Sequence, residues 1–147
     1  MTVPAMQPSE PEIPDVSAET AIQEILFTEG IPGFSSHRNF LLEPVGGALF
    51  WLRSAVPGGP AFLVVEPSAF LPDYRIEPEE WMLASLGVST TDDLVVLAVV
   101  TLPGEASDPP TMNLQGPILI NPERHLGRQV ILPDSALGTR TPIPLSQ

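Results

Sequence analysis

Apolar residues occur along most of the chain in short runs, with proline, glycine or polar residues between them. After residue 39 these runs cover residues 40–42, 48–52, 61–65, 94–102, 118–120 and 129–132. Runs of this length, broken by turn-forming residues, are typical of β-strands. The run at 94–102 scarcely alternates between apolar and polar residues, so we expect a central strand that is buried on both faces.

Turn residues between the runs predict how neighbouring strands connect. Two glycine pairs, at 46–47 and 58–59, stand between consecutive runs and predict hairpin turns. The runs at 118–120 and 129–132 flank a polar stretch, which predicts an antiparallel hairpin with a long loop over residues 121–127.

One helix is predicted after residue 77. Pro78 suits its first position, where a missing N–H costs nothing, and the two glutamates that follow suit the positive end of a helix. Gly87 is a typical end, and Met82 and Leu86 are spaced so that one face can pack on a sheet. Residues 17–26 fit one helical turn followed by a strand. The predicted fold is mainly β: a single-domain antiparallel β-barrel or folded sheet with one or two short helices.

The chain of 147 residues suffices for one domain with a hydrophobic core. Residues 1–19 contain four prolines, four acidic residues and few large apolar side chains, which predicts a flexible acidic tail. We assign residues 20–142 to the β domain and residues 143–147 to a short C-terminal tail.

The chain is strongly acidic. It has 18 acidic and 6 basic residues, all of the latter arginine, and its formal net charge is −12. Phosphate backbones and anionic lipid surfaces repel such a chain, so we expect neither direct nucleic-acid binding nor membrane binding. A basic protein would be attracted instead, although solubility alone explains this charge equally well.

No segment predicts export or membrane insertion. The longest apolar run is far shorter than the roughly 20 residues of a membrane helix, and the N-terminus lacks the basic and apolar regions of a signal peptide. The chain also contains no cysteine and therefore no disulfide. We expect a cytoplasmic protein.

The residues form no familiar catalytic or cofactor-binding pattern. The two histidines, His37 and His125, stand in polar segments, and the chain has no GxSxG turn, no glycine-rich phosphate loop and no lysine. We therefore expect no enzyme, no cofactor and no metal site. One alternative stays open, a small enzyme that uses carboxylates distant from each other in the sequence.

Two segments outside the clean strands suit contacts with another protein. Tyr74 follows Asp73 in a loop, where an aromatic ring with a polar tip either serves an interface or packs over the edge of the sheet. Met112, Asn113 and Leu114 form an apolar stretch that either lines a groove for a partner helix or closes the core.

Several segments match a known protein family in the family's own order. They are EGIPGF at 29–34, FWLRS at 50–54, AFLVVEP at 61–67, FLPDY at 70–74, LGV at 86–88, VVTLP at 99–103, MNLQGPI at 112–118, INP at 120–122, GRQVIL at 127–132 and the closing Arg140. Over about residues 25–142 the chain therefore resembles the FliW family of flagellar assembly factors. Residues 1–17 depart from it, because the family has a strand with an FGxI-like motif there, and Leu137 stands where members commonly carry an aromatic residue.

The resemblance implies a protein that works by binding other proteins. FliW-like proteins bind CsrA, an RNA-binding translational repressor, and so relieve its repression of flagellin mRNA. They also bind flagellin as a chaperone-like partner. The expected partners are thus CsrA and flagellin, with a monomer in the free state; an alternative is a chain that keeps flagellin alone.

The sequence also indicates which residues contact the partners. We expect surface contacts from Asp73, Tyr74, Met112, Asn113, Leu114 and Arg140. Gly30, Pro32 and Gly33 are expected to form a tight turn, in which a side chain on either glycine would clash.

Overall fold

The computed structural model describes residues 22–105, 107–132 and 138–143. Within these ranges the chain forms nine β-strands and one short α-helix. The strands are β1 (Gln23–Phe27), β2 (Asn39–Gly46), β3 (Leu49–Ser54), β4 (Ala61–Val65), β5 (Val95–Thr101), β6 (Thr111–Met112), β7 (Ile118–Asn121), β8 (Leu126–Gln129) and β9 (Thr141–Pro142). The helix α1 spans Glu80–Ser85, and single 3₁₀ turns cover Pro67–Ala69 and Thr91–Asp93.

Seven of these strands close into a barrel. Their order is β4-β3-β2-β1-β8-β7-β5, and β5 returns to pair with β4, where Val64 lies opposite Val99. Neighbouring strands run antiparallel except β1 and β8, which are parallel with Leu26 opposite Leu126. β6 pairs with the end of β5, and β9 pairs with β6. The prediction of a mainly β fold is confirmed, and the barrel is the form that the strands adopt.

Strand β5 occupies the central position that its apolar run predicts. It pairs with β4, β6 and β7. Leu97 packs in the barrel interior and Ala98 packs in a second cluster outside it, and both are fully buried. Both faces of this strand are therefore covered.

Three apolar clusters hold the fold together. The first fills the barrel and includes Ile25, Phe27 and Leu52. The second lies outside β4, β5 and the start of β3, where β6 and the segment after β4 cover the strands. The third lies between α1 and the outer sides of β5, β7 and β8. The outside of the barrel is thus covered on two sides by the chain's own elements.

Helix α1 begins two residues later than the sequence predicts. Glu79 has an extended backbone (φ −70°, ψ 156°), and its carbonyl accepts the N–H groups of Met82 and Leu83. Glu79 is therefore the N-cap residue, and Glu80 takes the first helical position that was predicted for Pro78. Gly87, with φ +79°, ends the helix as expected. Met82 and Leu86 are buried against the sheet, which confirms the predicted packing face.

The hairpin of β7 and β8 is tighter than predicted. Four residues, 122–125, connect the strands, so the predicted loop over 121–127 is too long and the second strand begins at Leu126 rather than at 129. The side-chain Oδ1 of Asn121 accepts two backbone N–H groups of the turn at 3.1 and 3.3 Å. His125 adopts a left-handed φ of 58°. This side-chain bonding allows a short turn that apolar periodicity alone does not indicate.

The structure describes part of each end of the predicted domain. Strand β1 confirms the strand expected within 17–26, whereas the expected helical turn and the tail at 1–19 lie outside the described residues. Ile143, the first residue after the predicted domain, is 4% exposed, and its N–H donates to the carbonyl of Pro110 at 2.9 Å. No helix in the described ranges is long and apolar enough to cross a membrane.

Candidate functional site

The turn at 29–34 has a backbone that only glycine tolerates well. Gly30 has φ +69°, and a Cβ there would lie 2.7 Å from the Cα of Ser35. Gly33 has φ +88° with open space around it, so its conformation rather than crowding favours glycine. Pro32 lies exposed between them. These three residues lie in a tight turn, and the predicted clash would occur at Gly30 but not at Gly33.

The loop that contains this turn is tied to one end of the barrel. Ile31 is buried in the interior cluster, and the ring of Phe34 meets the ring of Phe62 edge-on at 5.5 Å. His37 Nδ1 and Ser54 Oγ lie 2.9 Å apart, at the end of β3. The loop therefore lies beside the barrel end at which β3 ends and β4 begins.

A cavity of about 220 Å³ opens at this end of the barrel. Apolar side chains from the turn and from strands β4, β5 and β7 line part of it, and polar side chains line the rest. The lining residues are Ile31, Pro32, Phe62, Val99, Thr101, Asn113, Ile118, Gln129, Thr139 and Arg140. An apolar interior beside convergent polar groups is typical of a binding site.

The polar part of this cavity is rich in hydrogen-bond donors. Asn113 Oδ1 already accepts the backbone N–H groups of Gln115 and Gly116, at 3.1 and 2.9 Å, which leaves the amide nitrogen as its available group. Gln129 Nε2 donates to the Gly116 carbonyl at 2.9 Å and keeps a second N–H. The exposed Arg140 adds a positive charge. This arrangement suits acceptor groups such as carbonyl and carboxylate oxygens.

The hydroxyl of Tyr74 is used inside the protein. It donates to the Leu114 carbonyl at 2.8 Å, and the half-buried ring packs against the second cluster. Burial raises the pKa of Tyr74 to about 12. Of the two alternatives for this tyrosine, the structure has the ring packed over the sheet. Asp73 beside it is exposed.

The expectation that Met112 and Leu114 make surface contacts is wrong, because both side chains are buried. Their side chains are 0% and 4% exposed and belong to the second cluster, together with Val65 and Ala98. The cause is the pairing of β6 with β5 and β9, which places this segment in the sheet and turns its apolar side chains inward. This stretch closes the core, and only Asn113 of the three reaches the cavity.

The residues singled out in the sequence thus lie in two places. Pro32, Asn113 and Arg140 meet at the barrel-end cavity. Tyr74 instead borders a different cavity of about 250 Å³, which also contains Glu66. Sequence reasoning missed the cavity residues that lie inside strands, such as Gln129 in β8, because only barrel closure brings their strand ends together.

Two features of the described residues bear on metal binding and on the Ser54–His37 pair. The described residues contain no group of three or more His, Cys, Asp or Glu side chains that would hold a metal ion. Ser54 is 8% exposed, and its Oγ, which meets His37, also accepts the N–H of Val56 at 3.0 Å, so this pair joins the loop before β2 to the end of β3.

Comparison with known proteins identifies the family. The FliW protein family model matches residues 12–143 of the chain. The chain belongs to the FliW family. Similar relatives include the flagellar assembly factor FliW of Natranaerobius thermophilus, 37% identical over 121 residues that cover 81% of this chain and 80% of the relative. The flagellar assembly factor FliW of Syntrophotalea carbinolica is 38% identical over 122 residues, which cover 82% of this chain and 86% of the relative.

The fold agrees with a solved member of the FliW family. A crystal structure of the flagellar assembly factor FliW superposes with a TM-score of 0.72 at 30% sequence identity, and the match covers 82% of this chain and 84% of that one. The resemblance found in the sequence motifs is thereby confirmed, as is the mainly β architecture.

Proposed function

We propose that this FliW-family chain serves flagellar assembly by binding two proteins, CsrA and flagellin. Bound to CsrA, it relieves the repression of flagellin mRNA; bound to flagellin, it acts as a chaperone-like partner. The observation that carries the proposal is the family match over residues 12–143, together with relatives that are named flagellar assembly factors. Within the proposal the chain acts in the cytoplasm, is a monomer when free and catalyses no reaction.

The regulation follows from competition for one binding protein. Flagellin that occupies the chain lowers the concentration of free chain available to CsrA, by mass action. Once flagellin is secreted, the free chain returns and binds CsrA, and translation of flagellin resumes. The two partners are therefore linked through the concentration of the unoccupied FliW-family chain.

The charge of the chain supports the choice of CsrA. An RNA-binding protein presents positive charge, and a chain with net charge −12 attracts it over long distances. We expect an association rate with CsrA that falls steeply as salt is added, because salt screens this attraction. A flat salt dependence would contradict steering by charge.

We assign partner contacts to the surface groups that the structure leaves available. Asn113 and Arg140 contribute from the barrel-end cavity, and Asp73 contributes from the loop beside Tyr74. Met112 and Leu114 are buried, so they support this surface by packing in the second cluster and do not contact a partner themselves.

The test is a titration of the chain with purified CsrA, repeated in the presence of flagellin. We expect saturable CsrA binding that flagellin weakens. Arg140→Ala, which removes a charge at the cavity, should weaken at least one partner, whereas Arg124→Ala, the same change in the β7–β8 turn at the opposite end of the barrel, should not. Binding of flagellin alone would favour the narrower chaperone role, and binding of neither would refute the proposal.

A further inference from the structure

One side of the barrel has no covering element among the described residues. Helix α1 covers the outer sides of β7 and β8, and β6 with the segment after β4 covers the outside of β4 and β5. The outer faces of β1, β2 and the later part of β3 have no such cover, whereas Leu49 at the start of β3 packs in the second cluster. Large apolar side chains nevertheless lie on these faces: Leu26 is 39% exposed and Trp51 is 40% exposed.

The strand registers place three of these side chains in one band. Leu26 lies opposite Asn39, two residues from Leu41, and Leu41 lies opposite Arg53, two residues from Trp51. Leu26, Leu41 and Trp51 are therefore diagonal neighbours on adjacent strands, within reach of one another. Their strand neighbours Ile25, Phe40 and Leu52 point into the barrel, so these three point outward. We call this band the outer patch.

The charged side chains on the outer faces of β1, β2 and β3 are Glu24, Glu43 and Arg53. Glu43 Oε1 accepts from Arg53 Nε at 3.0 Å, so the one arginine of this face is already paired. Glu24 lies opposite Leu41, and no ion pair of its carboxylate occurs in the part of the chain that the structure describes. The outer patch is therefore an apolar band bordered by an available carboxylate.

This charge pattern discriminates between three possible occupants. A second copy of the chain, with net charge −12, would be repelled. The N-terminal residues 1–21 carry four acidic residues and no basic one, so Glu24 repels them as well. A positively charged protein surface with apolar side chains beside its cations satisfies both the band and the carboxylate.

We propose that the outer patch is the docking surface for a basic protein partner that inserts apolar side chains against Leu26 and Trp51 and places a cation near Glu24. The inference rests on the proposed function, in which CsrA is the basic partner. It adds a surface separate from the barrel-end cavity. Trp51 is its centre, because large aromatic side chains provide much of the affinity at protein interfaces.

The test measures CsrA binding to two tryptophan variants of the full chain. We expect Trp51→Ala to raise the Kd roughly 10- to 30-fold, the effect of losing a central aromatic contact. Trp81→Ala is the matched control, since Trp81 is 51% exposed on α1, where Arg128 stacks on it at 4.8 Å. Equal affinities of the Trp51 variant and the wild type would overturn the inference while leaving the proposed function intact.

A second pair of variants keeps the test decisive if Trp51→Ala unfolds. Glu24→Gln preserves shape and removes one charge, so we expect a lower association rate with CsrA and a shallower dependence on salt. Glu105→Gln, the same change in the exposed loop after β5, should retain the wild-type rate and salt dependence. If both variants behave alike, the carboxylate of Glu24 has no special role and the inference fails.

Fluorescence quenching tests the two rejected occupants directly. In a Trp81→Phe background Trp51 is the only tryptophan, because the chain has two. We expect acrylamide to quench Trp51 readily in the free full chain and poorly once CsrA is bound. Shielding of Trp51 in the free chain would mean that residues 1–21 or a second copy already cover the outer patch, which overturns the inference. A wild-type chain that ignores both CsrA and flagellin overturns the proposed function itself.

Discussion

Gly127 provides a sharp test of how the barrel interior is packed. This glycine lies in β8 and leaves room for the ring of Phe27 from β1. A Cβ at position 127 would lie 2.7 Å from Phe27 Cζ and 2.9 Å from Ile25 Cγ2. Both neighbours are fully buried, and the Phe27 ring also meets Phe40 edge-on at 5.2 Å, so it has little freedom to retreat.

The expected cost of Gly127→Ala follows from two opposing effects. Forcing a methyl group into a packed core costs about 1–3 kcal/mol. Replacing glycine in a strand returns roughly 0.5–1 kcal/mol, because the unfolded chain loses conformational freedom. The two ranges leave a net loss of roughly 0–2.5 kcal/mol in the free energy of unfolding, and the confined Phe27 ring favours about 1–2 kcal/mol within it.

Urea denaturation measures this loss. For a domain of this size we expect the midpoint to fall by roughly 0.5–1 M with an unchanged m-value. Gly104→Ala is the matched control, since Gly104 has no left-handed φ and no heavy atom within 4 Å of its would-be Cβ. Its unfolding free energy should stay level or rise by about 0.4–1 kcal/mol.

Two results would refute the packing argument. A midpoint for Gly127→Ala at or above that of the wild type would mean that the Phe27 ring does not fill this space. An equal loss in both variants would mean that backbone effects, and not contact with the core, decide the outcome.

Three further predictions concern Tyr74 and Asn121. Tyr74, the only tyrosine, has its pKa raised to about 12 by burial, so it favours the folded state fully below pH about 10 and loses this contribution as the pH rises through about 12. Tyrosinate absorbance should therefore rise at higher pH in the folded chain than in urea; equal titration curves would contradict burial. Tyr74→Phe should cost about 0.5–1.5 kcal/mol through the lost bond to Leu114, measured by denaturation at pH 7. Asn121→Ala should cost about 1–3 kcal/mol, because Asn121 is 3% exposed and bonds the Leu86 carbonyl at 2.7 Å; an unchanged midpoint would show that this link to α1 is unimportant.

The candidate site was only partly predictable from sequence. Asn113, Arg140 and the turn around Pro32 were expected to be important, and the structure places them together at one cavity. Exposure was harder to predict, because an apolar residue outside a clear strand pattern is equally suited to a groove and to a core. Met112 is such a case: the pairing of β6 with β5 and β9, which is not local in sequence, buried it.

The sequence by itself determined the elements of this protein and its family. Apolar runs between prolines and glycines predict the strands. The unbroken apolar run of β5 predicts that both faces of this strand are buried. The ordered motifs from EGIPGF onward identify the FliW family. These features depend on residues that are neighbours in the chain, where backbone preferences and side-chain periodicity act directly.

Only the tertiary structure decided closure of the barrel and the surfaces that it creates. The parallel pairing of β1 with β8 and the return of β5 to β4 join segments far apart in sequence. These pairings assemble the barrel-end cavity, and they leave Trp51 outward on a side that no described element covers. Which apolar side chains are buried depends on which distant strands meet, because burial belongs to the packed arrangement and not to a single strand.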